Sequence, residues 1–106
     1  MAETAMTTAR CTIQFSGGLE MYFHNKRELA IELSYPSCKT YTVRDLIEKL
    51  RVGYMSDKEE MFVANATVRP GIIVLINDTD WELEGTNDYA IENNDTIAFI
   101  STLHGG

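Results

Sequence analysis

The last residues of the chain are the first that could carry chemistry. Gly105 and Gly106 close the sequence after an apolar, β-prone run. Glycine has no side chain and leaves φ and ψ almost free, and the segment 101–106 spans roughly 20 Å when extended. We expect such a tail to pass through a narrow channel and to carry its terminal carboxylate into an active site that a folded domain cannot enter.

The chemistry open to that carboxylate needs prior activation, because a nucleophile meets a negative charge and no good leaving group. Reaction with ATP gives an acyl-adenylate, which has a leaving group. A sulfur nucleophile then gives an acyl-persulfide, thioester or thiocarboxylate, and an amine gives an isopeptide bond. Terminal Gly-Gly is a short motif that also occurs in unremarkable flexible ends. The domain that precedes it therefore decides how it is interpreted.

The cysteines and histidines favour packing over catalysis or metal binding. Cys11, Cys38, His24 and His104 match no common zinc spacing. Cys11 lies at one of the apolar positions of an alternating, predicted strand, whereas Cys38 follows Pro36 in a predicted turn. No secretory signal is visible, so we expect both thiols to be reduced.

Alternating acidic residues suggest calcium at first sight. They are Asp78, Asp80, Glu82 and Glu84. An EF-hand loop needs glycine at its sixth position, where Leu83 stands, so a solvated acidic strand face is the better interpretation. The glycine pair near the start of the chain also lacks the spacing of a phosphate loop. With no acid–base or nucleophile group in view, the sequence predicts a protein that is not an enzyme and has no cofactor or metal of its own.

Size and charge narrow the class further. The chain has 106 residues, of which 44% are hydrophobic and 24% charged, as expected for one globular domain. Its net charge of −7 disfavours direct binding to nucleic acid or to an anionic membrane and suits a basic protein surface, with a salt-sensitive encounter. No run of ~18 apolar residues is present. Asn-x-Thr sequences at Asn65, Asn77 and Asn94 are interpreted as turns.

The first half of the chain predicts two strands and a helix. Alternating apolar residues mark strands over 11–15 and 29–33, joined through a Gly-Gly turn. Thr42 with Asp45 predicts a capping box, and apolar spacing predicts a helix that Gly53 ends. Residues 54–70 are less regular. A helical turn near Ser56 and Glu59 and a short strand at 61–63 are plausible there.

The second half predicts strands only. The continuous apolar run 72–76 predicts a central strand covered on both faces. Alternation at 81–83 predicts a short strand, with Trp81 and Leu83 packing rather than binding, and 96–100 is the last strand. Strands on either side of a single helix predict an α+β fold with a mixed sheet and the main helix on one face. With the first and last strands adjacent in the centre, this is the ubiquitin-like β-grasp plan. The predicted organisation is a flexible tail at 1–10, a domain at 11–100 and an extended tail at 101–106.

Two stretches resemble the ubiquitin-related modifier family. They run from Arg69 to Gly85 and from Ser101 to Gly106, and the Gly17-Gly18-Leu19 turn is similar as well. The resemblance covers roughly residues 11–106 and is weakest over 20–66. The polar extension at 1–10 departs from the shorter members of the family.

The resemblance implies a β-grasp protein that is both a sulfur carrier and a protein modifier. An E1-like enzyme with a rhodanese domain would use ATP and a sulfur donor to adenylate and thiocarboxylate Gly106. The sulfur would pass to a cytosolic tRNA thiolase that makes 2-thiouridine at the wobble position, and the activated end could also join lysines of target proteins. Gly105 matches the spacer, and Thr102, Leu103 and His104 match the tail that enters the activating enzyme. The implied protein is a cytoplasmic monomer that needs no processing protease.

Two alternatives stay open at this stage. A non-covalent ubiquitin-like interaction module would bind through the sheet and leave the tail unused. A relative serving a small-molecule pathway such as molybdopterin synthesis is the other, although the match from Arg69 to Gly85 favours the tRNA branch.

Overall fold

A five-stranded mixed sheet forms the centre of the computed structural model, which describes residues 5–102. Its strands lie in the order β2-β1-β7-β5-β6, and β3 and β4 form a separate hairpin. In chain order the elements are β1 (Met6–Ser16), β2 (Glu28–Pro36), α1 (Val43–Gly53), β3 (Val63–Ala64), β4 (Thr67–Val68), β5 (Ile72–Ile76), β6 (Thr79–Asp80) and β7 (Thr96–Ser101). The α+β prediction of a mixed sheet with one main helix is confirmed.

The first and last long strands lie side by side, as predicted. β1 and β7 are parallel and pair Ile13 with Ile97 and Phe15 with Phe99. All four of these side chains are buried. Because residues along a strand alternate between its two faces, one side of the central pair forms the core and the other faces outward.

The prediction of a flexible tail at 1–10 is wrong for residues 6–10, and residues 1–4 lie outside the described residues. β1 begins at Met6, and its ladder with β2 pairs Met6 with Pro36 and Thr7 with Tyr35. Ala9 on this segment is buried. These small polar residues show no apolar alternation, but strand pairing uses backbone groups and needs only a partner strand of sufficient length.

The helix forms as the sequence predicts. The Thr42 hydroxyl accepts the Asp45 N–H at 3.3 Å, and the Asp45 carboxylate accepts the Thr42 N–H at 2.9 Å. This capping box satisfies donors that the first helical turn leaves open. The apolar stripe of the helix is buried in the core. It consists of Val43, Leu46, Ile47 and Leu50. α1 therefore covers one face of the sheet, and Gly53 is its last residue.

The segment between α1 and β5 is held to the core by buried side chains, of which Phe62 is the largest and Val68 is another. A 3-10 turn at Glu59–Met61 and the β3–β4 hairpin confirm the predicted helical turn and place the short strand at Val63–Ala64. Phe62 between them is fully buried, with ring contacts of 5.2 Å to both Phe23 and Phe99. A stretch with little regular structure is thereby held against the core.

Three predictions for the second half are wrong. β5 is not covered on both faces, because its burial alternates and Ile73 is 42% exposed. Residues 81–83 form a 3-10 turn rather than a strand, and Asp80 caps it by accepting the Glu82 N–H at 2.9 Å. Trp81 packs against the core as predicted, but Leu83 is 79% exposed. The single long helix covers only one sheet face, so a continuous apolar run must place some of its side chains on the other.

A buried carboxylate organises the turns before β7. Asp95 accepts hydrogen bonds from the Asn77 side chain at 2.8 Å, the Tyr89 hydroxyl at 2.7 Å and the Glu92 N–H at 2.8 Å. Burial and the bond to Asp95 raise the pKa of Tyr89. Asn65, Asn77 and Asn94 all have positive φ, which fits their predicted turn role. Among the residues described, no helix has the length and apolar character needed to cross a membrane.

Candidate functional site: the tail exit and the adjoining sheet face

The C-terminal segment leaves the sheet at Thr102. Ser101 is the last residue of β7, one beyond the predicted strand, and is paired with Ile72. Thr102 is exposed, yet its N–H donates to the Gly71 carbonyl at 2.9 Å and its hydroxyl donates to the same oxygen at 2.6 Å. Thr102 is thus bonded to the folded body at the root of the tail. Of the predicted tail residues, Leu103, His104, Gly105 and Gly106 lie outside the described residues.

The carbonyl that holds Thr102 is presented by a proline–glycine turn. The Ile72 N–H donates to the Arg69 carbonyl at 3.1 Å, and Gly71 has φ +100°. Proline followed by a residue with positive φ is the pattern of a type II turn, in which glycine avoids the strain that a side chain would bring. The turn brings the Gly71 oxygen to the point where β7 ends.

An apolar patch lies on the outer face of the sheet, next to this exit. β5 and β7 pair Ile73 with Ile100 and Leu75 with Ala98, and all four side chains lie on the face away from α1. Ile73 is exposed and the other three are partly exposed. These four residues, called the apolar patch below, end two positions before Thr102.

Sequence reasoning missed the apolar patch, although a signal for it was present. Both 72–76 and 96–100 are apolar at nearly every position. One helix can cover only one face of a sheet, so two such runs in adjacent strands require an exposed apolar surface. Contiguous exposed apolar side chains in a small protein commonly mark a binding surface.

One segment of the chain is strongly acidic. The segment 77–95 contains no lysine, arginine or histidine. Its acidic residues are Asp78, Asp80, Glu82, Glu84, Asp88, Glu92 and Asp95. Arg44 of α1 is bonded to Asp88 at 2.8 Å in an exposed pair. Apart from the buried Asp95, the other acidic residues of the segment are exposed. Their negative charge suits a basic partner surface, as the composition predicts.

Among residues 5–102, the cysteines, His24 and the acidic residues are not brought together into a chemical centre. Cys11 is buried, Cys38 is exposed, and both are free thiols. Burial, with a smaller effect from the charge of Asp95, raises the pKa of Cys11 to about 11. His24 lies exposed in a turn, and His104 is outside the described residues. Within 5–102, no three His, Cys, Asp or Glu side chains are grouped so that they could hold a metal ion.

This difference between the thiols gives a direct test of the core. We expect a thiol-alkylating reagent at about pH 8 to modify Cys38 quickly and Cys11 only after unfolding, because the thiolate is the reactive form and Cys11 is both buried and protonated. Mass spectrometry of the native protein should show one modification, and denaturant should allow the second. Cys38→Ser should leave no fast-reacting thiol. Equal reactivity of the two cysteines in the native protein would contradict the described packing of β1.

Comparison with known proteins identifies the family. The family model described as Urm1 (Ubiquitin related modifier) matches residues 10–106. The ubiquitin-related modifier 1 of Coprinopsis cinerea is 44% identical over 124 residues, with all of both chains covered. The solved structure of Urm1 from Trypanosoma brucei is 36% identical with a TM-score of 0.79, covering 93% of this chain and 97% of that one.

The β-grasp fold extends to more distant proteins. The small archaeal modifier protein 1 of Methanosarcina acetivorans has a TM-score of 0.71 at 17% identity, covering 94% of this chain and 99% of that one. At that identity the likeness concerns the fold alone. The family match and the close relatives carry the assignment: this chain belongs to the ubiquitin-related modifier family and is a small ubiquitin-like modifier, not an enzyme.

Proposed function

We propose that this modifier is a sulfur carrier whose Gly106 carboxylate is activated by an E1-like enzyme with a rhodanese domain. The observation that carries the proposal is the exit of β7 at Thr102, beside the apolar patch and ahead of a terminal Gly-Gly. The folded body offers a docking surface, and the sequence carries the Gly106 carboxylate four residues beyond Thr102. Gly106 is the reacting residue, Gly105 the spacer, and 102–104 the segment that leads into the enzyme from its root at Thr102.

The proposed chemistry takes place in the activating enzyme. The Gly106 carboxylate attacks ATP and releases pyrophosphate, which leaves an acyl-adenylate. A persulfide sulfur of the rhodanese domain displaces AMP to give an acyl-persulfide. A thiol that attacks the sulfur–sulfur bond then releases the thiocarboxylate and leaves a disulfide. This chain contributes only the carboxylate and the surface that the enzyme binds, so it needs no cofactor of its own.

The carried sulfur is proposed to serve tRNA. A cytosolic tRNA thiolase complex would take it for 2-thiolation of the wobble uridine, and the thiolase rather than this acidic protein would hold the RNA. An amine that attacks the activated end forms an isopeptide bond, so lysines of target proteins are the second class of acceptor. We propose that the protein acts in the cytoplasm, because the thiolase that would accept the sulfur is cytosolic, and that it acts as a monomer.

The experiment that tests the proposal is intact-mass analysis. The protein is incubated with its E1-like enzyme, ATP and a sulfur donor, and one oxygen should be replaced by one sulfur at the C-terminus. Omitting ATP should prevent the replacement. An unchanged mass in the complete mixture would overturn the carrier proposal.

A non-covalent interaction module is the second candidate, and the exposed apolar patch is the observation that favours it. Such a module would bind a partner through the sheet without using Gly106. A short tag added after Gly106 separates the two functions, because it blocks the carboxylate and leaves the patch unchanged. Retained activity of the tagged protein in tRNA thiolation would favour the module, and its loss would favour the carrier.

The apolar patch yields a prediction for the activating enzyme. We expect Ile73→Arg to raise the KM for thiocarboxylation about 10- to 100-fold, because an unpaired charge buried at a hot spot costs several kcal/mol. Val52→Arg is the matched control. It changes the net charge equally, and Val52 is 70% exposed on α1, which covers the opposite face of the sheet. Equal KM values for the two variants in steady-state assays would rule out docking through the patch.

A further inference from the structure

The turn after β1 touches the strand that carries the tail. β1 and β7 pair as far as Ser16 with Ile100, and Gly17 follows with φ +71°. A Cβ atom on Gly17 would lie 2.1 Å from the Ser101 carbonyl oxygen and 3.0 Å from its carbon and nitrogen. The atoms it would strike belong to the backbone of a sheet strand, so no flexible side chain can move aside. Any side chain at this position must therefore displace Ser101.

On its other edge, β7 is held by β5, also at Ser101. Ser101 pairs with Ile72 of β5, and the next step of that ladder is the Thr102 N–H bonded to the Gly71 carbonyl. The Thr102 hydroxyl adds a second bond to that oxygen at 2.6 Å. The backbone of Ser101 and Thr102 is thus fixed between two turns, one at Gly17 and one at Gly71.

The position of this root limits what the tail can reach. From Thr102 to Gly106 the chain spans at most about 14 Å. A displacement of the root by ~1 Å changes the reach of the terminal carboxylate by a similar distance. Misplacing a reacting group by ~1 Å can cost on the order of 100-fold in rate.

We propose that Gly17 and Thr102 are positioning residues for activation of Gly106. Gly17 lets the first turn approach the Ser101 backbone, and the Thr102 hydroxyl ties the tail root to Gly71. The proposal rests on the proposed function, since it concerns the delivery of that carboxylate. Neither residue supplies a reacting atom.

Gly17→Ala and Gly18→Ala form a matched pair. Gly18 is also left-handed, at φ +99°, but a Cβ atom there would have no atom within 4 Å. Alanine carries backbone strain at both positions, and only Gly17→Ala displaces Ser101. We expect Gly17→Ala to lower the kcat of thiocarboxylation about 10- to 100-fold with little change in KM, because the apolar patch still docks. Gly18→Ala should keep the wild-type kcat.

Amide hydrogen exchange in the free protein reports the anchor without the enzyme. Exchange at the Thr102 N–H should speed up about tenfold or more in Gly17→Ala and stay unchanged in Gly18→Ala, because only the first variant disturbs its bond to Gly71. A change in overall stability would instead shift exchange throughout the core.

Thr102→Val and Thr102→Ser test the bond between the Thr102 hydroxyl and the Gly71 carbonyl. These two variants decide whether the tail root is a positioning element if Gly17→Ala does not fold. Valine keeps the branched shape and loses the hydroxyl, whereas serine keeps the hydroxyl. We expect a 3- to 10-fold loss of kcat for valine, the range that one hydrogen bond supports, and rescue by serine.

The results separate this proposal from the function on which it rests. Equal kcat and equal Thr102 exchange for the two glycine variants, or equal kcat for the two Thr102 variants, would overturn the positioning role while the wild type still gains sulfur. A wild type that gains no sulfur would instead overturn the proposed function, and the exchange measurement on the free protein would still report whether the anchor exists.

Discussion

Removal of Gly106 is expected to reduce thiocarboxylate formation at least about 100-fold. The new terminal carboxylate on Gly105 would fall one residue short, about 3.5 Å from the reacting position, and errors of ~1 Å already cost on the order of 100-fold. Gly106→Ala is the length control and should keep measurable activity, because its carboxylate stays at the original distance. Intact-mass analysis after incubation with the activating enzyme, ATP and a sulfur donor measures the loss.

The same deletion should leave the folded body unchanged. The core, the capping box and the Thr102 anchor all lie within residues 5–102. Equal thermal unfolding midpoints for the deletion and the wild type would show that the loss is chemical. If the shortened protein still accepts sulfur, or still supports tRNA thiolation, the proposed role of Gly106 is wrong.

Replacement of Phe62 by alanine is expected to destabilise the protein by about 3–5 kcal/mol. Phe62 is fully buried and contacts Phe23 and Phe99 edge-on, with ring centroids 5.2 Å apart in each case. Its loss leaves a cavity between the sheet and the segment that joins α1 to β5. The surroundings relax only partly into such a space, so the cavity adds to the free energy lost with the buried ring.

Urea unfolding of Phe62→Ala and Phe62→Leu separates the aromatic contacts from simple bulk. Leucine fills most of the volume and should cost less than about 1.5 kcal/mol. A loss below about 1 kcal/mol for alanine would mean that Phe62 does not fasten this segment to the core.

Several elements were predictable because their signals are local. Thr42 and Asp45 lie three residues apart, and the apolar residues of α1 follow the helical period, so capping and burial both depend on neighbours in sequence. The Gly17-Gly18 turn and the asparagine turns likewise depend on conformations that few residues adopt easily.

Other features depend on which elements become neighbours. The first residues of β1, from Met6, form a strand because they pair with β2. No hydrophobic pattern within residues 6–10 predicts that pairing. One face of β5 is exposed because α1 covers only the other face of the sheet. The turn at Trp81–Leu83 forms because Asp80 caps it and Trp81 reaches the core, while its alternation alone predicted a strand.

The sequence by itself determined an acidic α+β domain of β-grasp plan that ends in Gly-Gly, because capping, hydrophobic period and charge are read over a few positions. The modifier class came from the resemblance of two stretches, Arg69 to Gly85 and Ser101 to Gly106, to a known family. The apolar patch, the burial of Asp95 and the anchoring of Thr102 were decided only by the tertiary structure. Each of these joins residues that are distant in the chain, as Gly17 and Gly71 are when they meet the end of β7. Such contacts arise from the packing of whole strands, so a reading of neighbouring residues does not reveal them.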